Sequence, residues 1–220
     1  MKRICCIVGA GDFTVSLLPA RREQYFLLAA DGGYAALQTD GLQPDLCVGD
    51  FDSLGFVPGD CAVETLPVEK DETDMAAAAL LAQARGFRTL YFFGALGGRR
   101  FSHSMAAVQT LLRLHQQGLS VYLFDRNCTL LPACHETVRF PAGLSGDFSL
   151  FSLSDTAVVS YTGLKYPLEQ RTLSNDFPLG VSNSFTGEPA AVQVAGKALI
   201  VLEGPAAVQF RQSLPAFADL

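Results

Sequence analysis

The hydrophobic and polar positions follow two different patterns along the chain, and the change comes after Asp125. Before that point, short continuous apolar runs alternate with segments in which apolar residues recur at helical spacing. Continuous apolar runs of this kind are typical of strands that are covered on both faces. Strand and helix in alternation predict an α/β domain with a mostly parallel sheet.

Five strands and three helices are predicted in this first part. The strands are expected in RICCIVGAG, YFLLAADGG, LCVGDFDS, TLYFFGALGG and VYLFD. The helices are expected in DGGYAALQTDG, TDMAAAALLAQARG and SHSMAAVQTLLRLHQQG. The last two helical segments end at Gly86 and Gly118, and glycine is common just after a helix end.

The part after Asp125 has the composition of an all-β domain. Its short segments are rich in Val, Phe and Thr and are separated by Gly, Pro or Asn: CTLLPA, ETVRFPA, DFSLFSLS, AVVSYTG, AAVQVAG and ALIVLEG. We find no amphipathic helix there. An antiparallel sandwich or barrel is expected, with domains at residues 1–126 and 127–220.

The amino-acid composition and the net charge limit the kinds of molecule that this protein is expected to bind. Hydrophobic residues make up 49% of the 220 residues and charged residues 17%, which favours a globular fold over disorder. The net charge of −6 disfavours nucleic-acid binding, because phosphate affinity depends on clustered Lys and Arg. No apolar run is long enough to span a membrane. A small molecule is therefore the expected partner.

The N-terminal segment and the cysteines indicate the cellular compartment in which the protein is expected. MKRICCIVGAGD has the basic start of a signal peptide, but its apolar run is brief and soon meets Gly9 and Asp12, so a buried first strand is the better interpretation. The six cysteines include no C-x-x-C pair, and we expect reduced thiols. A cytoplasmic protein is predicted.

Five carboxylates follow or precede predicted elements in the first domain: Asp31, Asp50, Asp52, Asp71 and Asp74. Ligands bind beyond the carboxyl ends of parallel strands, so these side chains should face one crevice. Each alone could be a turn residue or a helix cap. Together they would repel one another unless a cation neutralised them, and hard oxygen ligands suit magnesium. A magnesium-nucleotide site is the resulting hypothesis.

The segment VGDFDSLG makes a geometric prediction. Asp50 and Asp52 would point to opposite faces of a continuing strand. They can reach one cation only if the chain leaves the strand at Asp50. We therefore expect a loop there, with Phe51 turned into the protein.

A glycine-rich turn, GALGGRRFSHS, complements these carboxylates. Gly97 and Gly98 allow close backbone approach, and Arg99 and Arg100 offer forks for phosphate oxygens. Neither the dinucleotide fingerprint nor a P-loop is present in the sequence. A different phosphate loop is expected.

Two further side chains in this region have open interpretations. His103 is a general base or phosphate ligand, or a polar surface group at a helix start. Lys70 either neutralises a phosphate or pairs with carboxylates.

The landmarks taken in order resemble those of the thiamine pyrophosphokinase family. They are DGG at 31–33, GDFDS at 49–53, KDETD at 70–74, GALGGRRF at 94–101, GLKYPL at 163–168 and VSNSF at 181–185. The resemblance implies transfer of pyrophosphate from ATP to the hydroxyethyl oxygen of thiamine, giving thiamine diphosphate and AMP with Mg2+. It also implies an α/β nucleotide-binding catalytic domain, a thiamine-binding β-sandwich and a homodimer.

The resemblance assigns roles to individual positions. The implied magnesium ligands are Asp50, Asp52 and Asp74. The implied catalytic contacts to nucleotide or phosphate are Asp31, Asp71 and Arg100, with cofactor-binding positions at Gly32, Gly33, Gly97, Gly98, Arg99, Ser102 and His103. Ser182 and Asn183 are implied to contact thiamine, although the sequence around them alone indicates only a turn.

One position departs from the family motif. Where the family has Arg, any residue, Asp and then His or Gln, this chain has Ser102 before His103. A serine can hydrogen-bond a substrate but carries no negative charge. Two alternatives follow: a binding or regulatory protein with reduced activity, and a pyrophosphokinase for another primary alcohol.

Overall fold

The computed structural model describes residues 3–67, 69, 71–98 and 100–218. The chain folds as two compact units, the first ending at Arg126 and the second beginning at Asn127. In the described part of the chain, no helix is long and apolar enough to cross a membrane.

Among the described residues, the first unit is built on a parallel sheet of six strands. They are β1 (Ile4–Val8), β2 (Tyr25–Ala30), β3 (Leu46–Gly49), β4 (Ala62–Thr65), β5 (Thr89–Phe93) and β6 (Ser120–Phe124). The spatial order is β6-β5-β1-β2-β3-β4, with every neighbouring pair parallel. All residues of β1 are buried, as the continuous apolar run predicts.

In the described part of this unit, three helices and two short 3-10 helices connect the strands. The helices are α1 (Gly33–Thr39), α2 (Asp74–Ala84) and α3 (Phe101–Gln116), and the 3-10 helices are Val15–Leu17 and Arg22–Gln24. The five predicted strands and three predicted helices are all present. Gly86 and Gly118 follow α2 and α3 with positive φ values of 91° and 83°, as expected for residues after a helix end.

The strand order fixes where a ligand can bind. From β1 the chain builds outward through β2, β3 and β4 on one side, and β5 and β6 lie on the other. The order therefore changes direction between β1 and β5. In open parallel sheets the crevice beyond such a switch point is the usual ligand site.

The second unit is antiparallel, and its residues up to 218 form six strands and one helix. They are β7 (Cys128–Phe140), β8 (Ser145–Ser152), β9 (Thr156–Thr162), β10 (Leu168–Ser174), β11 (Asn183–Thr186), β12 (Ala190–Glu203) and α4 (Pro205–Gln212). β12 pairs with β7 along nearly its whole length. The first half of β12 also pairs with β9, and its second half with β8.

The core of the second unit is aromatic. Ring centroids of Phe140 and Phe185 are 5.2 Å apart, and those of Phe148 and Tyr161 are 5.5 Å apart. Phe210 of α4 joins them, 5.4 Å from Phe140. These contacts bury large apolar side chains of strands and helix together.

Several sequence predictions for the second unit were wrong. CTLLPA and ETVRFPA form one strand, β7, and AAVQVAG and ALIVLEG form one strand, β12. β11 begins at Asn183, where a turn was predicted. The helix α4 was missed because it has only eight residues, and its buried positions are just Ala206, Ala207 and Phe210.

Candidate active site

The loops that follow β1 and β5 run side by side at the switch point. The backbone N–H of Gly9 donates to the carbonyl oxygen of Phe93 over 2.9 Å, and that of Gly11 donates to Gly94 over 2.7 Å. A Cβ on Gly11 would lie only 2.4 Å from the carbonyl oxygen of Leu96, so no side chain fits between the loops. At Gly9, Gly11 and Gly94 the two loops therefore meet backbone to backbone.

A cavity of about 620 Å³ lies over these loops. Its walls combine backbone of the two glycine-rich loops with a few polar side chains. They include Gly9, Ala10, Gly11, Asp31, Ser53, Thr73, Asp74, Met75, Gly94, Gly97, Gly98, Arg100 and His103. This volume and this mixture of walls suit a small-molecule ligand.

Three of the predicted carboxylates converge beside the cavity. Oxygens of Asp31, Asp50 and Asp52 lie within 4.8 Å of one another. Asp31 follows β2, and Asp50 and Asp52 follow the neighbouring strand β3. The hydrogen bond and the negative charge of Asp50 raise the pKa of Asp52 above its ordinary value. The three carboxylates thus feel one another's charge.

The loop after β3 has the predicted geometry. β3 ends at Gly49, so the chain leaves the strand at Asp50. Phe51 has a φ of 59° and is only 3% exposed. The positive φ turns its ring into the core and leaves the carboxylates of Asp50 and Asp52 to the outer side. This sequence prediction is confirmed.

Asp31 is held by a single neighbour on one oxygen. Its Oδ2 accepts a hydrogen bond from the Ser53 hydroxyl over 2.5 Å. Its Oδ1 is buried and has no hydrogen-bond partner among the described residues. A buried carboxylate oxygen without a partner is costly, so Oδ1 is a position that a cation or ligand would satisfy.

Asp74 lines the same cavity from the first turn of α2. The preceding Thr73 caps this helix, because its hydroxyl accepts a hydrogen bond from the backbone N–H of Ala76 over 3.2 Å. In the described part of the chain, Asp74 is not one of the carboxylates within 4.8 Å of each other. Asp71 is exposed and does not line the cavity.

The glycine-rich turn after β5 contributes Gly97, Gly98, Arg100 and His103 to the cavity wall. Arg100 is the exposed residue just before α3, and His103 lies in the first turn of that helix. Ser102 is exposed and is absent from the wall. The predicted contact Arg99 lies outside the described residues, as does Lys70.

Gly32 and Gly33 are not in the cavity wall, and their role is one of close packing. A Cβ on Gly33 would be 1.9 Å from the carbonyl oxygen of Val8, and one on Gly32 would be 2.9 Å from the Cβ of Ala10. These glycines let the start of α1 approach the end of β1. They thereby position the Asp31 side chain that precedes them.

Sequence reasoning missed several residues of the wall, including Gly9, Gly11, Ser53 and Met75. Gly9 and Gly11 were discounted because the fingerprint glycine is absent, and Ser53 and Met75 were not singled out. The signal for Gly9 and Gly11 was their position just after the first buried strand, which is where the switch point lies. For Ser53 and Met75 we see no sequence signal beyond their neighbours.

The landmarks of the second unit meet within that unit. Asn183 is 6% exposed, and its Oδ1 accepts the backbone N–H of Tyr166 over 3.0 Å while its Nδ2 donates to the Tyr166 carbonyl over 2.8 Å. The GLKYPL segment is thus attached to VSNSF. The Ser182 side chain is exposed, and its backbone has a φ of 65°.

Comparison with family models gives two consecutive matches. A model of the thiamin pyrophosphokinase catalytic domain matches residues 20–123, and a model of the thiamin pyrophosphokinase vitamin B1 binding domain matches residues 135–201. Together they cover most of both units. A comparison with curated protein sequences gives no match.

Solved structures of this family are similar over nearly the whole chain. A thiamine pyrophosphokinase from Bacillus subtilis has a TM-score of 0.79 at 21% identity, covering 91% of this chain and 99% of that one. A thiamin pyrophosphokinase from Geobacillus thermodenitrificans has a TM-score of 0.76 at 27% sequence identity, covering 91% of this chain and 97% of that one. A thiamin pyrophosphokinase from Candida albicans has a TM-score of 0.79 at 16% sequence identity, covering 92% of this chain and 89% of that one. The chain therefore belongs to the thiamine pyrophosphokinase family of enzymes, which pyrophosphorylate thiamine.

Proposed function

We propose that this enzyme transfers a pyrophosphoryl group from ATP to the hydroxyethyl oxygen of thiamine, giving thiamine diphosphate and AMP. The observation that carries the proposal is the convergence of Asp31, Asp50 and Asp52 at the ends of adjacent parallel strands, beside a cavity with glycine-rich walls. The three negative charges need a cation, and the glycine backbone in the cavity wall suits phosphate groups.

The residues fit magnesium. The donors are carboxylate oxygens, which hard cations prefer, and the buried Oδ1 of Asp31 has no hydrogen-bond partner among the described residues. We assign Asp50, Asp52 and Asp74 as ligands on the family resemblance, and the geometry supports adding Asp31. Bound Mg2+ would neutralise phosphate charge and orient the polyphosphate.

In the proposed reaction the hydroxyl oxygen of thiamine bonds to the β-phosphorus of ATP. The bond from that phosphorus to the bridging oxygen of AMP breaks, and the hydroxyl proton is released. Such transfers depend mainly on positioning and on charge stabilisation. Arg100 supplies positive charge at the cavity wall, and Asp71 and His103 are proposed nucleotide or phosphate contacts.

The polyphosphate is proposed to lie against the turn after β5. Gly97 and Gly98 contribute wall without side chains. Positive φ values of 70° and 71° at these two residues expose their backbone in a form that other residues rarely adopt. Arg99 and Ser102 stay in the proposal as contacts from the same segment, on the resemblance alone.

Thiamine is proposed to contact Ser182 and Asn183. The Ser182 hydroxyl belongs to an exposed side chain and is open to a ligand. The Asn183 side chain already bonds the backbone of Tyr166 on both its oxygen and its nitrogen. We therefore propose that Asn183 acts chiefly by holding the Tyr166 segment in place.

The wider assignment follows the family. We propose that residues 1–126 are the α/β nucleotide-binding catalytic domain and residues 127–220 a thiamine-binding β-sandwich. We also propose a cytoplasmic homodimer. The exposed apolar side chains of the second unit, among them Tyr166 and Phe177, support an association of chains.

The test is to incubate the protein with ATP, Mg2+ and thiamine and to separate the products by chromatography. Equal amounts of thiamine diphosphate and AMP are expected. The variant Asp155→Asn, which changes an exposed carboxylate of the second unit, is the matched control and should keep full activity. Absence of both products from folded protein would refute the proposal. If AMP formed only with another primary alcohol, such as a pterin alcohol, the acceptor would be that alcohol and not thiamine.

A further inference from the structure

Two cysteines face each other across the edge of the first unit's sheet. Cys47 is the second residue of β3, and Cys61 directly precedes β4. In the parallel pairing Cys47 is opposite Val63. Because side chains alternate along a strand, Cys61 projects to the same face as Val63 and hence toward Cys47.

The two sulfur atoms are very close. Sγ of Cys47 and Sγ of Cys61 are 2.7 Å apart, and both residues are thiols in this structure. A disulfide bond is about 2.05 Å long, so the sulfurs need to approach by well under 1 Å to bond.

We propose that Cys47 and Cys61 form an oxidisable dithiol, which a low-molecular-weight disulfide converts reversibly into a disulfide bond between β3 and the start of β4. This site is separate from the cavity. It does not rest on the proposed reaction.

Exposure decides the order of the two steps. Cys47 is fully buried, whereas Cys61 is partly exposed. The Cys61 thiolate attacks a sulfur of the small disulfide, forms a mixed disulfide and releases one small thiol. The Cys47 thiolate then attacks the Cys61 sulfur and releases the second small thiol. The two protons lost by the protein thiols are taken up by the two released thiolates.

The surroundings set the rate of this exchange. Burial raises the pKa of both the Cys47 and the Cys61 thiol, so few thiolates are present near neutral pH. The exchange should therefore be slow there and faster as the pH rises.

The position of the pair gives oxidation a structural consequence. Cys47 and Cys61 are 14 positions apart, and Asp50, Asp52 and Ser53 lie between them. A bond between the cysteines would close this segment into a loop. The oxidised protein should therefore hold the carboxylate-bearing segment more tightly than the reduced protein.

The test uses oxidised glutathione as the probe on the full chain. After incubation the remaining thiols are alkylated, and the digested protein is analysed by mass spectrometry. We expect one cross-linked peptide that contains Cys47 and Cys61, about 2 Da lighter than the two reduced peptides and lost on treatment with dithiothreitol.

Two variants make the result specific. Cys61→Ser should abolish the cross-link, and because Cys61 is partly exposed and outside the strand, this change should leave the fold intact by circular dichroism. Cys128→Ser, at a cysteine of similar exposure in the second unit, should leave the cross-link unchanged. The proposal would be overturned if Cys61 carried a stable glutathione while Cys47 remained a thiol and was recovered in alkylated form. A cross-link through other cysteines would also overturn it.

Hydrogen exchange tests the structural consequence. Backbone amides in residues 52–60 should exchange more slowly in the oxidised than in the reduced protein. Equal exchange in the two forms would refute the tightening of the segment.

Discussion

Asp31 is the single residue whose surroundings most directly indicate a cation site. Its carboxylate has one oxygen bonded to Ser53 and one buried oxygen without a hydrogen-bond partner in the described structure. Asp50 and Asp52 lie close enough for their charges to interact with it. Such a cluster destabilises the ligand-free protein and is stabilised by a bound cation.

Asp52→Asn should lower turnover by about 100-fold or more, because it removes one charge of the proposed magnesium site while keeping the side-chain shape. The free energy of unfolding measured without Mg2+ should not fall, because the exposed Asp52 loses a negative charge that the neighbouring Asp50 repels. Turnover assays and denaturant titrations check both values. Activity within a few-fold of the parent, as expected for the control Asp155→Asn, would show that Asp52 is no ligand.

Ser53→Ala should raise the Mg2+ concentration needed for half-maximal activity. The hydroxyl orients the Asp31 carboxylate, and loss of such a positioning contact typically costs about 10- to 100-fold in metal affinity or activity. The measurement is the Mg2+ concentration for half-maximal activity, with Ser53→Thr as the variant that retains a hydroxyl. An unchanged Mg2+ dependence in Ser53→Ala would assign the hydrogen bond a purely local role.

The sequence identified these carboxylates, but it did not define how close they lie to one another. The spacing of Asp50 and Asp52, with an apolar residue between, was enough to predict the loop and the burial of Phe51. The strand-end positions also predicted that Asp31 faces the same crevice, but not that its carboxylate lies within 4.8 Å of the other two, because that distance depends on the pairing of β2 with β3. In that pairing Gly49 brings the chain close to Asp31, and a Cβ there would be 3.0 Å from the Asp31 Cα.

At the scale of elements, the start of α1 depends on one close approach. No side chain fits between Gly33 and the Val8 carbonyl, because a Cβ would lie 1.9 Å from that oxygen. The helix therefore begins directly against the end of β1, and Asp31 just before it faces the neighbouring strand's carboxylates.

Gly33→Ala should destabilise the first unit by about 2 kcal/mol or more, because the helix must move away from β1. Gly59→Ala is the matched control, since a Cβ there would meet nothing within 4 Å. The chain has no tryptophan, so urea unfolding is followed by circular dichroism. Equal stability of the two variants would contradict the packing argument.

The elements with mostly buried residues were predicted from the sequence, and those with mostly exposed residues were not. The strands of the central sheet have continuous buried runs and were found from hydrophobicity alone. β4 and β10 were missed because most of their residues are exposed or half-buried, which leaves no hydrophobic pattern to detect. Edge strands of this kind are recognised only from their partners.

At the scale of the whole molecule, the proposed homodimer is testable by mass. Sedimentation equilibrium should give about 47 kDa, twice the chain mass of 23.6 kDa. The physical reason is the set of large apolar side chains that the second unit leaves exposed, including Phe177 at 64% and Tyr166 at 56%. A mass of one chain at every concentration would refute the dimer.

In the proposed reaction a pyrophosphoryl group moves as one unit from ATP to thiamine. ATP labelled with 32P at the β position tests it most directly, in the presence of Mg2+ and thiamine. Pyrophosphoryl transfer predicts that the label appears in thiamine diphosphate and that unlabelled AMP accumulates in equal amount. Label retained in ADP, with thiamine monophosphate as the product, would contradict the account.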